Sequence, residues 1–418
     1  MSQLKTVYID PESHSVFKSE FRLHGQAYLS DLKLLLNETS TDGIYSKAAG
    51  VYGCIKHIRL LSGGVELDSC RFANYWMAFK NINNSNKDNI NLRKRLTHSS
   101  YGYELSEAIS FSGVRTQLNQ SAGTTASSET AGVLYLSEIL PILDEIVVIN
   151  TSTVFPDLRI VIEYNTDEKL KKDVITNAST ISEPILMCSE VLSQSDIASS
   201  AKMDGLQWDT IEVDQFIVDA VGAGKVQSGV HKLNGFDNKM LSRVLMTKQT
   251  LPLSHNMLAD NASSLGFGVY NSFVQFKEQI NFNINSKPVF LEPLEEQGQK
   301  AQLLSDTWGK CNIIPYGNVG SQGLDTQGAT ALNRIGGPVL QGNGYPGYEI
   351  GTQDFVGFSV SKRVNNLEVS YGRTGPTDAG MDGSSALKAQ NDSLLIKVYA
   401  EVRKQVEIKN GKILISYA

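Results

Sequence analysis

Four side chains come closest to a metal-binding set in this sequence: Cys54, His57 three residues on, Cys70 and His98. Two thiolates and two imidazoles could make a tetrahedral zinc site. The spacing argues against it, because residues three apart on a strand point to opposite faces, so Cys54 and His57 do not converge. Cys54, Cys70, Cys188 and Cys311 read instead as small buried hydrophobes, and no metal is expected. Paired carboxylates could support glycoside hydrolysis, but only at a defined separation in space. Glu292, Glu295 and Glu296, like Asp144 and Glu145, read as solvated faces. No Gly-x-Ser-x-Gly elbow occurs, and His14, His24, His57, His98, His231 and His255 have no partner pattern that singles one out. The glycines of 315–353 do not follow a strand and open a helix, so they are not read as a phosphate cradle. No residue is assigned a catalytic, cofactor-binding or metal-ligating role, and no enzyme activity is expected.

The elements that must carry these residues are strands. The closing stretch shows this best: Ile396, Val398, Ala400 and Val402 alternate with Lys397, Tyr399, Glu401 and Arg403. That pattern predicts one face in a core and one toward water. After a short linker a second run follows, and Asn410-Gly411 marks a hairpin turn. Leu158, Ile160, Ile162 and Tyr164 share a face in a second clear strand, and Ile280, Phe282 and Ile284 alternate with Asn281, Asn283 and Asn285 in a third.

Further strands are expected at 16–23, 28–36, 54–61, 64–71, 184–192, 210–220, 240–247, 355–360 and 367–371, with Gly63-Gly64 as a tight turn. Helical spacing appears only briefly, at 73–82 and across Leu136 to Val147 with Pro141 near its first turn. Polar loops are expected at 81–91, Ser112–Thr130 and Gly372–Ser385, and a long glycine-rich loop at 315–353. Many short strands without alternating helices indicate antiparallel sandwiches rather than βαβ units.

The chain has 418 residues, more than one core usually organises, so two units are expected. The polar run Thr166 to Asp173 places the boundary: 1–172 and 173–418. Hydrophobic residues make up 41% and charged residues 20%, ordinary values for a globular protein. A formal net charge of −6 argues against a dominant nucleic-acid surface, and Arg93-Lys94-Arg95 and Lys169 with Lys171-Lys172 read as solvated loops. The first residues contain no apolar stretch of signal-peptide length, and no segment approaches a membrane span, so synthesis in a reducing cytoplasm without secretion is expected.

The order of segments resembles a family, the double jelly-roll major capsid proteins of tailless icosahedral DNA viruses, with adenovirus hexon and the polinton-like and virophage-like capsid proteins. Leu136–Leu143 followed by Leu158–Tyr164 resembles the helix and closing strand of a first jelly roll. Ile211-Glu-Val-Asp resembles an early strand of the second, and Asn281–Asn285 a later one. Val398–Val402 through Asn410-Gly411 to Tyr417 resembles the closing strands. The resemblance implies an all-β chain of two consecutive eight-stranded antiparallel jelly rolls with a few short helices and long loops. It implies a virion shell protein that forms homotrimers of pseudo-hexagonal outline, with neighbouring capsomers, penton and minor capsid proteins as partners and no direct sequence-specific nucleic-acid binding. Residues 1–15 would face the shell interior or an internal membrane, and the loops 112–130 and 317–351 would contribute to the trimer contact. The alternatives are a vertex (penton) protein forming pentamers, a β-sandwich lectin or adhesin, and a β-sandwich polysaccharide hydrolase or lyase.

Overall fold

A computed structural model describes residues 4–23, 28–36, 38–39, 51–84, 92, 96–97, 132–146, 148–151, 155–165, 180–192, 205–222, 224–251, 277–295, 297–308, 339–340, 346–347, 355–375, 393–409 and 412–417. The expected boundary run 166–173, the loop Ser112–Thr130, most of 315–353 and of Gly372–Ser385, and the Asn410-Gly411 turn lie outside them, as do His24, His98, His255 and Glu296; of the loop expected at 81–91, 81–84 are helix and 85–91 lie outside the described residues.

The first sandwich uses β1 (Leu4–Ile9), β2 (Ser13–His14), β3 (Lys18–Leu23), β4 (Tyr28–Leu36), β5 (Glu38–Thr39), β6 (Ile55–Ser62), β7 (Val65–Arg71), β8 (Gly132–Tyr135), β9 (Ile149–Asn150), β10 (Leu158–Tyr164), β11 (Thr180–Ile181) and β12 (Ile185–Val191). One sheet runs β2-β3-β10-β6-β7; the other runs β1-β12-β4-β8, with β9 also paired to β4. Their inner faces meet through Phe21 and Leu23, Ile58 and Leu60, and Ile160 and Ile162 on one side, and Leu32, Leu34, Leu134 and Leu186 on the other. On β10 the expected face is buried together with the exceptional Val161, while Arg159 and Glu163 reach across to Glu20 and Arg59. Gly63 and Gly64 both have positive φ, 54° and 83°, which fits the primed turns that join twisted strands.

Three features depart from expectation. β12 follows the expected boundary, yet it is hydrogen-bonded between β1 and β4 of the first sandwich. β1 was not expected as an element; Val7 and Ile9 pack toward the core and make it an edge strand. The helix expected across 136–147 is a 3-10 turn at Leu136–Glu138 followed by one helical turn at Ile142–Glu145, capped by Pro141. Proline has no N–H for a continuous ladder, so the helix restarts there. The helix expected at 73–82 forms as α1 (Ala73–Asn84).

The second sandwich contains β13 (Gln207–Val218), β14 (Val226–Lys232), β15 (Lys239–Leu251), β16 (Lys277–Ile284), β17 (Lys287–Pro288), β18 (Val339–Leu340), β19 (Pro346–Gly347), β20 (Phe355–Val364), β21 (Leu367–Thr374), β22 (Ser393–Lys409) and β23 (Lys412–Tyr417). β18 and β19 pair only with each other, within the glycine-rich stretch. Without them and the terminal β23, eight strands remain, in sheets β13-β22-β15-β20 and β14-β21-β16-β17. In chain order this is 1-8-3-6 facing 2-7-4-5, the connectivity of a jelly roll. The first sandwich keeps its central feature, an early strand paired with a late one: β3 lies beside β10, and β10 beside β6.

The second core fills from Val244, Met246, Ile280, Phe282, Ile284, Phe358, Val369, Ile396 and Val398. β22 is 17 residues long and continuous. The expected linker at Arg403–Gln405 is strand, because nothing there breaks the ladder: Arg403 pairs with Asp209, and Lys404 pairs with both Trp208 and Tyr417. An unexpected helix, α2 (Gln297–Trp308; the single turn at 142–145 carries no label), packs against β20.

Candidate functional site

The expected solvent face of β22 is buried. Lys397, Tyr399 and Glu401 are buried like the core residues between them, because α1 and the turn at Phe72 that follows β7 in the first sandwich lie on that face. Both faces of this strand are therefore packed, one in each half of the molecule. The first hydrophobic core runs across the boundary and takes in Trp208, Ile211, Leu245, Leu304, Tyr399 and Val406 from the second half.

Aromatic rings form the centre of this junction. Trp76 of α1 lies 5.7 Å from the Tyr399 ring and 5.9 Å from Phe79, and Phe79 meets Trp308 of α2 edge-on at 5.0 Å. Large aromatic pairs of this kind dominate interface energetics. Trp308 fits because residue 357 on β20 is glycine; a Cβ there would collide with the indole ring. Phe72, which turns the chain from β7 into α1, has φ 50° and offers its carbonyl to the Tyr399 hydroxyl at 2.9 Å.

Charged groups are drawn into the same junction. Lys397 holds its ammonium 3.9 Å from the Tyr75 ring centroid and 5.0 Å from that of Phe72, and burial brings its pKa down to about 7. Glu401 is pushed up by burial and drawn back by its ion pair with Arg243, whose guanidinium lies 5.7 Å from the Trp308 ring. Asp68 of β7 is fully buried and accepts from the Thr210 hydroxyl, the Ile142 N–H at 3.0 Å and its neighbour Ser69 N–H at 2.9 Å. Burial raises its pKa to about 6 against the pull of these donors and of Lys404.

A second buried charge cluster lies inside the second sandwich. Glu278 of β16 accepts from Lys248 of β15 at 2.7 and 2.8 Å, from Lys300 of α2 at 2.9 Å, and from the Tyr371 hydroxyl. Burial works to raise this carboxyl, but the two ammonium groups outweigh it and hold it at about 2. The cluster ties α2 to the sheet beneath.

The sequence-level chemistry candidates do not converge. Cys54 and Cys70 are buried in the first core, whereas His57 turns outward toward Glu163 at 3.8 Å. Asp144, Glu145, Glu292 and Glu295 are exposed, and among the described residues no three His, Cys, Asp or Glu side chains are grouped to hold a metal ion. Sequence reasoning missed the junction itself. The available signal was a bulky Tyr399 between two charged residues on a face assigned to water.

No protein-family model matches this sequence, and no curated protein is significantly similar to it. Solved structures are similar over nearly the whole chain. PBCV-1 VP54, as fitted into a cryo-EM reconstruction of the virophage Sputnik, covers 100% of this chain and is itself covered over 98%, at TM-score 0.57 and 11% identity. The mavirus major capsid protein covers 99%, with 90% of its own length matched, at TM-score 0.56 and 10% identity. A cryo-EM structure of the Sputnik virophage gives 99%, 88%, TM-score 0.52 and 11% identity. Identity this low carries fold alone: the chain has the two-sandwich, double jelly-roll fold of viral major capsid proteins.

Proposed function

We propose that this chain is a major capsid protein, a structural subunit of an icosahedral viral shell. The observation that carries the reading is the rigid pairing of two jelly rolls through one buried junction. A shell subunit needs two similar barrels held at a fixed angle, so that three copies present six near-equivalent edges. The junction supplies that angle with packed aromatic rings, where a polar linker would leave it free. A complete second strand set, β13 to β22, favours this reading over a vertex protein with a single jelly roll and a different second domain. The dividing line between the two units is best drawn after β12, since β12 completes a sheet of the first sandwich.

In this reading the chain acts without catalysis, assembles with copies of itself into trimers, and meets neighbouring capsomers, penton and minor capsid proteins in the virion. Synthesis belongs to the host cytoplasm, and an internal membrane would lie beneath the shell. The test is the native mass of the purified protein by light scattering, with negative-stain images of the same sample. Trimers of pseudo-hexagonal outline are expected. Pentamers would transfer the chain to the vertex, and a monomer that never assembles would overturn the shell reading.

A further inference from the structure

Trp76, Trp208 and Trp308 are the chain's three tryptophans, and all three lie in or against the first core where it crosses into the second sandwich. None of their indole N–H groups has a hydrogen-bond partner, although each nitrogen is shut off from solvent. Buried donors in native proteins are nearly always met by a protein group, a water or an ion.

Two of these donors belong to a cluster rich in positive charge. Trp76, Phe79 and Lys80 neighbour one another at three- and four-residue spacing on α1, and Phe79 also meets Trp308 of α2. Lys80 holds its ammonium 5.9 Å from the Trp76 ring centroid, and Arg243 of β15 holds its guanidinium against Trp308. Arg243 and Glu401 both act on the Lys80 ammonium, so the three charges lie together, with Glu401 paired to Arg243. Of the other carboxylates that act on Lys80, Glu138 accepts from the Tyr52 hydroxyl and Asp144 is exposed to water. Two cations and two unpartnered N–H groups are thus grouped with one buried carboxylate. Trp76 and Phe79 are buried, whereas Lys80, Arg243 and Trp308 are part-exposed and form a rim that solutes can reach.

We propose that this cluster binds a small tetrahedral oxyanion, sulfate or phosphate, through Lys80, Arg243 and the indole N–H groups of Trp76 and Trp308. Such an ion presents acceptors on every side, the complement of a lining made of donors. It would contact α1 of the first sandwich and both β15 and α2 of the second, so binding ties the two jelly rolls together. The inference stands on the junction alone and goes beyond the shell reading, which its test leaves untouched.

The test titrates the full chain with sodium sulfate, phosphate or chloride, at an ionic strength held constant with sodium gluconate. Tryptophan emission is the readout, since every indole lies at the junction, and the unfolding temperature is followed in the same samples. A saturable emission change and a higher unfolding temperature are expected with sulfate and phosphate. Lys80→Met keeps the stem and loses the charge, and Trp308→Phe keeps a ring and loses the N–H. Each should bind about tenfold more weakly or worse, the worth of one hydrogen bond to a charged group, with circular dichroism unchanged. Lys80→Arg should bind as wild type does. Trp208→Phe should do the same, because its indole lies at the Lys404 rung, three residues beyond Glu401. Lys80 is part-exposed, so Lys80→Met decides the matter even where Trp308→Phe fails to fold. Wild-type affinity in Lys80→Met overturns the site. Saturation by chloride alone overturns the oxyanion assignment, and no saturable response to any of the three salts means that water alone meets the indoles and overturns the proposal.

Discussion

The Tyr399 hydroxyl donates to the Phe72 carbonyl oxygen at 2.9 Å, joining two residues 327 positions apart in the chain. The bond passes from the central strand of the second sandwich to the turn that leads into α1 of the first. The same carbonyl accepts the Tyr75 N–H at 3.1 Å, so it keeps a partner when the hydroxyl is lost. Tyr399→Phe should therefore cost only ~1 kcal/mol, the net worth of one hydrogen bond. Tyr399→Ala removes the ring beside Trp76 and should cost ~3–5 kcal/mol, as large-to-small changes at buried aromatics do. Urea unfolding curves of the two variants would separate these costs. Equal losses would mean that the ring is not what joins the halves.

Asp68 makes the junction sensitive to acid in an unusual direction. Its pKa is raised from 3.8 to about 6 by burial, so the folded state binds its proton more tightly than the unfolded state does. That contribution favours folding below about pH 4 and fades as pH rises toward 6, a change of ~3 kcal/mol at most. Asp68→Asn cannot ionise; its oxygen can still accept from the Ile142 N–H, while its amide NH2 faces the Thr210 hydroxyl, which can rotate to accept. Measured from pH 4 to 6, the variant should gain stability relative to wild type with rising pH. A constant difference across that range would show that Asp68 does not titrate there.

Glu278 titrates in the opposite sense. Its pKa is depressed from 4.5 to about 2, so its contribution is present above pH 4.5 and is lost as pH falls toward 2. Glu278→Gln removes the anion between Lys248 and Lys300 and leaves two buried ammonium groups facing each other. Breaking such a buried pair usually costs ~3–5 kcal/mol. Thermal unfolding at pH 7 should show a large drop, and the triple change Glu278→Gln, Lys248→Met, Lys300→Met should recover most of it. Failure of the triple variant to recover would point to lost packing rather than stranded charge.

Much of the fold was legible because alternation is a local property. Ile280, Phe282 and Ile284 between asparagines, or Leu158 to Tyr164, declare a strand and its buried face without reference to anything distant. What the local pattern cannot carry is which surface lies over the other face. Lys397, Tyr399 and Glu401 read as solvent-facing because two of the three are charged, yet α1 covers them. β14 was missed because only Val226 and Val230 are apolar in it, and both lie on the exposed face of this edge strand. α2 was missed because one of its buried anchors is Lys300, whose burial depends on Glu278 coming from another strand. The strand of β12 was legible, but its sheet was not, since pairing with β1 and β4 is a tertiary choice. The candidate site is assembled almost wholly from such choices, which is why sequence motifs did not point to it.

Lys397 offers the sharpest test of the covered face. Burial lowers its pKa from 10.5 to about 7, so the folded state favours the neutral amine while the unfolded chain stays protonated. The sign follows: the charge penalty is full below about pH 7, and stability rises with pH between about 7 and 10.5. The rings of Tyr75 and Phe72 offset part of that penalty, since an ammonium over an aromatic face gains ~1–2 kcal/mol when desolvated. Lys397→Met keeps the length of the side chain and removes the charge. The variant should unfold at higher temperature than wild type at pH 6, and its advantage should shrink as pH approaches 10. If Lys397 instead faced water, as the alternation alone suggests, the substitution would leave the unfolding temperature unchanged at both pH values.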